Sequence, residues 1–168
     1  FQWTKQVASH FGGTRNGTIV HWPNGIKAKG EVRSQFHHVI DVVPTIYEVT
    51  KITPPRVVNG VEQDSLDGVS MAYTFADAKA KGMRKTQFFD IMASRGIYHD
   101  GWFASAMGLR EPWVGGMPKG AKEWSPEKDR WALYNLNEDW SQANDLAAQM
   151  PEKVAEMKDL FLLESTRN

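Results

Sequence analysis

Asp100-Gly101 sits between two short runs, Gly96-Ile97-Tyr98-His99 and Trp102-Phe103-Ala104-Ser105-Ala106. A two-residue type I′ turn needs positive φ at both central positions, and Asp-Gly tolerates that geometry. The pair therefore predicts an antiparallel hairpin. Thr86-Gln87-Phe88-Phe89-Asp90-Ile91-Met92 and Arg130-Trp131-Ala132-Leu133-Tyr134-Asn135-Leu136 read as further strands beside it. Pro151 is well placed to open a closing helix, where its missing N–H costs nothing. Val154, Met157, Leu160 and Phe161 then make that helix's apolar stripe. The second half of the chain is thus expected to be a small antiparallel sheet with a packed terminal helix.

The chain has 168 residues, enough to enclose a real core. Twenty basic residues balance twenty acidic ones. A nucleic-acid grip or a polybasic membrane contact needs a surplus of one sign, so neither partner is expected. No apolar run approaches bilayer length. With no cysteine there is neither a disulfide framework nor thiolate chemistry. The chain opens on Phe1 without a leader, and its seven tryptophans are many for this size. Both features lead us to expect a piece of a longer protein.

The first half reads differently. Trp3–Asn16 packs Lys5, His10, Gly12-Gly13 and Arg15 into one short span. Adjacent glycines are poor helix material, so a loop with a tight turn is expected there, able to bring charged groups to an anion. Thr18-Ile19-Val20-His21-Trp22 reads as a strand stopped by Pro23. Asp41 is a good N-cap for a helix over residues 41–50. Pro44 falls in its first turn, Val42, Ile46 and Val49 sit at core-facing spacing, and Pro54-Pro55 lies beyond its end. A brief helix over Met71–Lys81 is expected from Ser70 as cap and Gly82 as stop. Residues 108–128, rich in Gly and Pro, read as a long surface loop.

These motifs, in this order, resemble the late part of the sulfatase catalytic domain, of the arylsulfatase type. The matching features are Lys5, then Gly-Gly-x-Arg, an apolar strand ending in Trp22-Pro23, and the Asp41-x-x-Pro-Thr-Ile helix start. Next come the Asp-Gly hairpin, Leu133-Tyr134-Asn135-Leu136, and Asn144-Asp145-Leu146-Ala147 before the last helix. The resemblance implies an α/β fold that ends an alkaline-phosphatase-like α/β domain over residues 1–55. A connector over 56–85 would lead to an antiparallel-sheet subdomain with its helix over 86–168. It also implies sulfate-ester hydrolysis by a full-length parent that uses calcium and a formylglycine nucleophile. That nucleophile is made from the cysteine or serine of a Cys/Ser-x-Pro-x-Arg motif, which this sequence lacks. The chain alone is therefore expected to be inactive. Its expected partners are a sulfate-ester substrate and the missing N-terminal part of the catalytic domain, and family members are often periplasmic or secreted.

Sulfate-ester cleavage needs a nucleophile, neutralisation of the sulfate oxygens and protonation of the leaving oxygen. By the resemblance, Lys5 is the sulfate-binding lysine, a role that suits a compact point charge. His10 titrates near neutral pH and is a candidate proton carrier or substrate contact, against a packed loop histidine. Arg15 could bind an anion or brace the turn. His99 and Trp102, beside the hairpin turn, could border the substrate mouth or simply pack on the sheet. His37 and His38 alternate on an extended segment and cannot easily share a metal. His21 reads as structural, and Asp139 and Asn144 as loop and cap residues.

Two rival readings follow from the same residues. One is an autonomous α+β domain that binds a partner chain. The other is part of a related phosphate-ester hydrolase, since sulfate and phosphate make similar electrostatic demands.

Overall fold

The computed structural model describes residues 1–109, 112–116 and 118–167. Arg110, Glu111 and Met117 of the expected loop over 108–128 lie outside the described residues, as does Asn168. In chain order the elements are α1 (Phe11–Thr14), a 3-10 turn (Val39–Asp41), α2 (Val42–Thr50), β1 (Val57–Val58) and β2 (Val61–Glu62). Then follow α3 (Tyr73–Ala76), β3 (Thr86–Ile91), β4 (Ser94–His99), β5 (Trp102–Ala106), a 3-10 turn (Pro126–Lys128), β6 (Ala132–Asn135) and α4 (Pro151–Ser165). The backbone forms two compact units, Phe1–Gly17 with Lys85–Asn168, and Thr18–Arg84.

The first unit is built on a four-stranded antiparallel sheet in the order β3-β4-β5-β6. The β4–β5 hairpin turns where expected, with Asp100 at φ 42° and Gly101 at φ 88°. One face of the sheet carries Ile97, Ala104 and Leu133, which pack with Met157 and Phe161 of α4. Phe161 stacks on Phe88 at 4.7 Å between ring centroids and meets Trp131 edge-on at 5.4 Å. Burying side chains of this size stabilises by about 1.5–3 kcal/mol each. The opposite face carries Phe103 and Tyr134, paired across β5 and β6. Phe103 packs against Phe11 at 5.1 Å and Phe89 at 6.0 Å. The antiparallel sheet with a packed terminal helix is the arrangement expected, and the stripe on α4 points into the core as read.

The second unit is organised around a buried carboxylate. Asp41 was expected to cap α2, but its side chain turns inward instead. Asp41 Oδ2 accepts the His38 N–H at 2.9 Å, and Oδ1 accepts the Val69 N–H at 2.7 Å. Arg84 Nε donates to Oδ2 at 2.9 Å, and Arg84 Nη2 pairs with Oδ1. Thr45 Oγ1 donates to the Asp41 carbonyl at 2.6 Å and accepts the Met71 N–H at 2.9 Å. His37 bridges Asp41 Oδ2 at 3.1 Å and the Tyr73 hydroxyl at 3.2 Å.

Several expectations fail in this unit. The α2 stripe does not reach a core: Ile46 is 53% exposed, and the buried residue of the helix is Thr45. The segment Thr18–Trp22 is not a strand: among the described residues no strand pairs with it, and Ile19 is 96% exposed. His21 is accordingly exposed instead of lying in a core strand. The helix expected over Met71–Lys81 is a single turn. Asp77 leaves it in an extended conformation and its Oδ1 accepts the Lys79 N–H at 2.8 Å, a local bond that competes with helix continuation.

Candidate functional site

The diglycine forms a helical turn, α1, where a loop was expected. The reason is crowding. A Cβ on Gly12 would overlap the carbonyl oxygens of Gln2 and Trp3, and one on Gly13 would overlap the Val7 carbonyl. Only glycine lets the preceding residues fold back this closely. Gly12 N–H then bonds the Gln2 carbonyl at 3.0 Å, and Gly13 N–H bonds the His10 carbonyl at 2.9 Å.

The floor of this loop is buried, with Val7, Ala8, Ser9 and Phe11 all inaccessible against the sheet. Ser9 N–H donates to Ser94 Oγ at 3.1 Å, at the start of β4. Gln142 is the main clamp. It is 1% exposed, its Oε1 accepts the Phe11 N–H at 2.7 Å, and its Nε2 donates to the Ser9 carbonyl at 3.2 Å. The Gln142 carbonyl in turn accepts from Gln2 Nε2 at 2.7 Å. Sequence reasoning missed Gln142, because its partner Phe11 lies 131 positions away and a lone glutamine carries no local signal.

Lys5 stands on the exposed side of this loop. Trp3 and Gln6, on either side of it, hold left-handed backbone at φ 62° and 74°. Such conformations cost about 1–3 kcal/mol for residues with a Cβ and persist only where the surroundings impose them. Among the described residues Lys5 has no carboxylate partner. Its ammonium therefore projects from a strained, clamped loop.

His10 is the N-cap residue of α1, and its Nδ1 lies 2.9 Å from Ser9 Oγ. Half-burial pushes its pKa down and favours the neutral ring. The ring lies 6.4 Å from Tyr134, whose own hydroxyl pKa is raised by burial and then by the charges of Asp145 and Asp139. Arg15 lies over the rings of Phe1 at 5.3 Å and Phe11 at 5.5 Å, and its Nη1 donates to the Trp140 carbonyl at 3.2 Å. Its guanidinium is thus engaged in holding the loop's end.

His99 and Trp102 are elsewhere. They pair with each other across β4 and β5, and Trp102 packs against the cluster that contains Met157 and Phe161. His99 Nδ1 meets Thr86 Oγ1 at 2.8 Å, and Lys153 Nζ lies 5.8 Å from the Trp102 ring centre. Alternation along the strands puts this pair on the α4 face of the sheet, whereas Lys5, His10 and Arg15 belong to the loop on the Phe103 face. The five candidates form two groups on opposite faces. Asp139 acts as a loop residue, accepting the Asn144 N–H at 2.7 Å and the Ser141 hydroxyl at 3.0 Å. Among the described residues no three of His, Cys, Asp or Glu stand close enough to hold a metal ion. The described residues thus do not fit the implied calcium, and the sequence has no precursor motif for the implied formylglycine.

No family model matches the sequence, and no curated protein does either. Solved structures do. A protein described as BT33336S-sulf, from the metabolism of multiple glycosaminoglycans by Bacteroides thetaiotaomicron, superposes with a TM-score of 0.58 at 23% identity. The match covers 88% of this chain and 28% of that one. BT4656, solved in complex with its substrate D-glucosamine-2-N,6-O-disulfate, gives a TM-score of 0.55 at 17% identity, over 88% of this chain and 27% of its own. Ps i-CgsB gives 0.50 at 18% identity, over 82% and 26%. The structural neighbours are sulfatases, and the fold of this chain is the fold of a part of them. The chain spans about a quarter of their length.

Proposed function

We propose that this chain is the C-terminal portion of a sulfatase of the arylsulfatase type, and that it presents Lys5 to the sulfate group of the substrate. The observation that carries the reading is the match to sulfatase folds over 88% of the chain. The clamped loop supports it: an ammonium with no carboxylate partner among the described residues, on a loop held by the buried hydrogen bonds of Gln142 and Ser94, is pre-positioned for an anion. Lys5 would neutralise charge on the sulfate oxygens, and neutral His10, on the same loop, is the candidate to exchange a proton. The nucleophile and calcium would come from polypeptide beyond these residues. A sulfated sugar is a reasonable substrate to test first, since one neighbour holds a sulfated glucosamine.

A nucleophile contributes several powers of ten in rate, so the 168-residue chain alone should release no sulfate. The complete reading-frame product should release it from an aryl sulfate or a glucosamine 6-sulfate. Sustained turnover by the chain alone, or none by the complete product on either substrate, contradicts the proposal.

A further inference from the structure

We infer that the hydroxyls of Ser94 and Ser9 hold His10 as the neutral tautomer with its proton on Nε2. Ser9 is the positioning residue, and His10 gives a hydrogen bond to a sulfate oxygen instead of taking a proton from the substrate. The inference rests on the reading above that the Lys5 loop meets a sulfate, and it narrows the part His10 plays there.

The count of hydroxyl protons carries it. Three groups lie in a row: Ser94 Oγ, Ser9 Oγ 3.3 Å from it, and His10 Nδ1 a further 2.9 Å on. Both serines are buried, Ser9 wholly and Ser94 at 2% exposure. Each hydroxyl has one proton to donate. Ser94 Oγ already accepts the Ser9 N–H at 3.1 Å. Its own proton has one acceptor among the described residues, Ser9 Oγ. Ser9 then directs its proton the other way, where the acceptor is His10 Nδ1. A ring nitrogen that accepts carries no proton, so the proton of the neutral imidazole sits on Nε2. In the reverse order His10 Nδ1–H would donate to Ser9, and Ser9 to Ser94. The Ser94 proton would then be buried without an acceptor, at a cost of about 1–3 kcal/mol.

The surroundings keep the ring in that state. Burial pushes the His10 pKa down, so the imidazole is neutral at neutral pH. The His10 carbonyl accepts the Gly13 N–H at 2.9 Å and the Thr14 hydroxyl at 3.4 Å, which fixes the backbone that carries the ring. Among the described residues Nε2 makes no hydrogen bond, and it is not one of their buried polar atoms without a partner. The Nε2–H is therefore an oriented donor open to solvent, on the same loop as the Lys5 ammonium. A sulfate group offers several oxygens, so one can meet the cation and another the neutral donor. Donors fixed before the reaction need no reorganisation as charge develops on oxygen.

Nitrogen-15 NMR of the complete reading-frame product, labelled at histidine and with His10 assigned by its loss in His10→Gln, tests the tautomer. Couplings to the ring carbon protons should show a proton on Nε2 and none on Nδ1 at neutral pH. In Ser9→Ala the same ring should exchange between both tautomers. A proton on Nδ1, a doubly protonated ring or an unaltered ring in Ser9→Ala overturns the inference. Kinetics then separate a donated hydrogen bond from a transferred proton. Glutamine places an amide N–H close to the position of Nε2–H and exchanges no proton with substrate near neutral pH. For an aryl sulfate, kcat/KM should fall about 100-fold in His10→Ala and by less than about tenfold in His10→Gln. Equal losses in the two variants mean proton transfer and overturn the inference, as does no loss in His10→Ala. Sulfate release by the unaltered product is read separately. Release with the proton on Nδ1 sinks the inference and leaves the proposed function, whereas no release with the proton on Nε2 sinks the function and leaves the tautomer.

Discussion

The two units of this chain solve the problem of cohesion in opposite ways. The sheet unit buries Ile97, Phe103, Leu133, Met157 and Phe161 as an apolar core, and its buried polar side chains, such as Ser9, Ser94 and Gln142, sit around that core. The Thr18–Arg84 unit buries an ion pair with its hydrogen-bond shell and leaves its valines and isoleucines outside. An apolar core is non-directional and tolerates repacking. A buried charge pair is directional and all-or-none, since removing one partner strands the other. The comparison teaches that one unit of a chain can rest on an apolar core while the segment inserted into it, Thr18–Arg84, holds a shape around a buried ion pair.

The sharpest way to break the comparison is Asp41→Ala. It leaves the Arg84 guanidinium buried without its counter-charge, a loss of about 3–5 kcal/mol. Hydrogen exchange should show residues 37–45 and 69–74 opening while the amides of β4 keep their protection. If β4 opens equally, the units are not independent in stability.

Met157→Ala is the mirror experiment. It hollows the sheet unit beneath α4 and should cost about 2–5 kcal/mol, read as a lowered melting midpoint. Exchange around Asp41 should be unchanged.

Acid separates the units with no mutation. Burial alone would raise the Asp41 pKa, but the Arg84 hydrogen bond and the His38 and Val69 amides outweigh it and hold the pKa at about 2, below the ordinary 3.8. The unfolded carboxyl therefore takes a proton first. The stabilisation, about 2 kcal/mol, is complete above about pH 4 and is lost as pH falls through about 2. The Thr18–Arg84 unit should lose protection across that window before the sheet does. Simultaneous loss contradicts the assignment of Asp41 as its organiser.

Gln142→Ala should have the smallest effect on stability, roughly 1–3 kcal/mol, because it strands the buried Phe11 N–H and Ser9 C=O. Faster exchange should be confined to residues 9–13. No local change would mean that Ser94 alone holds the Lys5 loop.

The sheet unit was legible in the sequence because its signals are local. Asp100-Gly101 fixes a turn by backbone chemistry, and the spacing of Val154, Met157, Leu160 and Phe161 fixes a helix face. Its other hairpin was not legible. Met92-Ala93 turns in left-handed backbone at φ 50° and 66° without Gly or Asn to announce it, so β3 and β4 read as one run and a separate short strand. In the other unit the apolar periodicity of α2 was read correctly as a helix but wrongly as a core face, since periodicity reports the stripe and not what covers it. The inward turn of Asp41 depends on Val69 and Arg84, which lie 28 and 43 positions away. For the candidate site, the motif resemblance singles out Lys5 as a residue to test, whereas the Gln142 clamp on its loop and the placement of His99 and Trp102 on the opposite face arise only from tertiary pairing.

The central claim is that the Lys5 ammonium meets a sulfate oxygen. The direct measurement is kcat/KM for an aryl sulfate with the complete reading-frame product and its Lys5→Ala variant, alongside their melting midpoints. The account predicts a loss of about 100-fold or more, as for removal of one charge-stabilising group, at an unchanged midpoint. A variant with undiminished kcat/KM would contradict it.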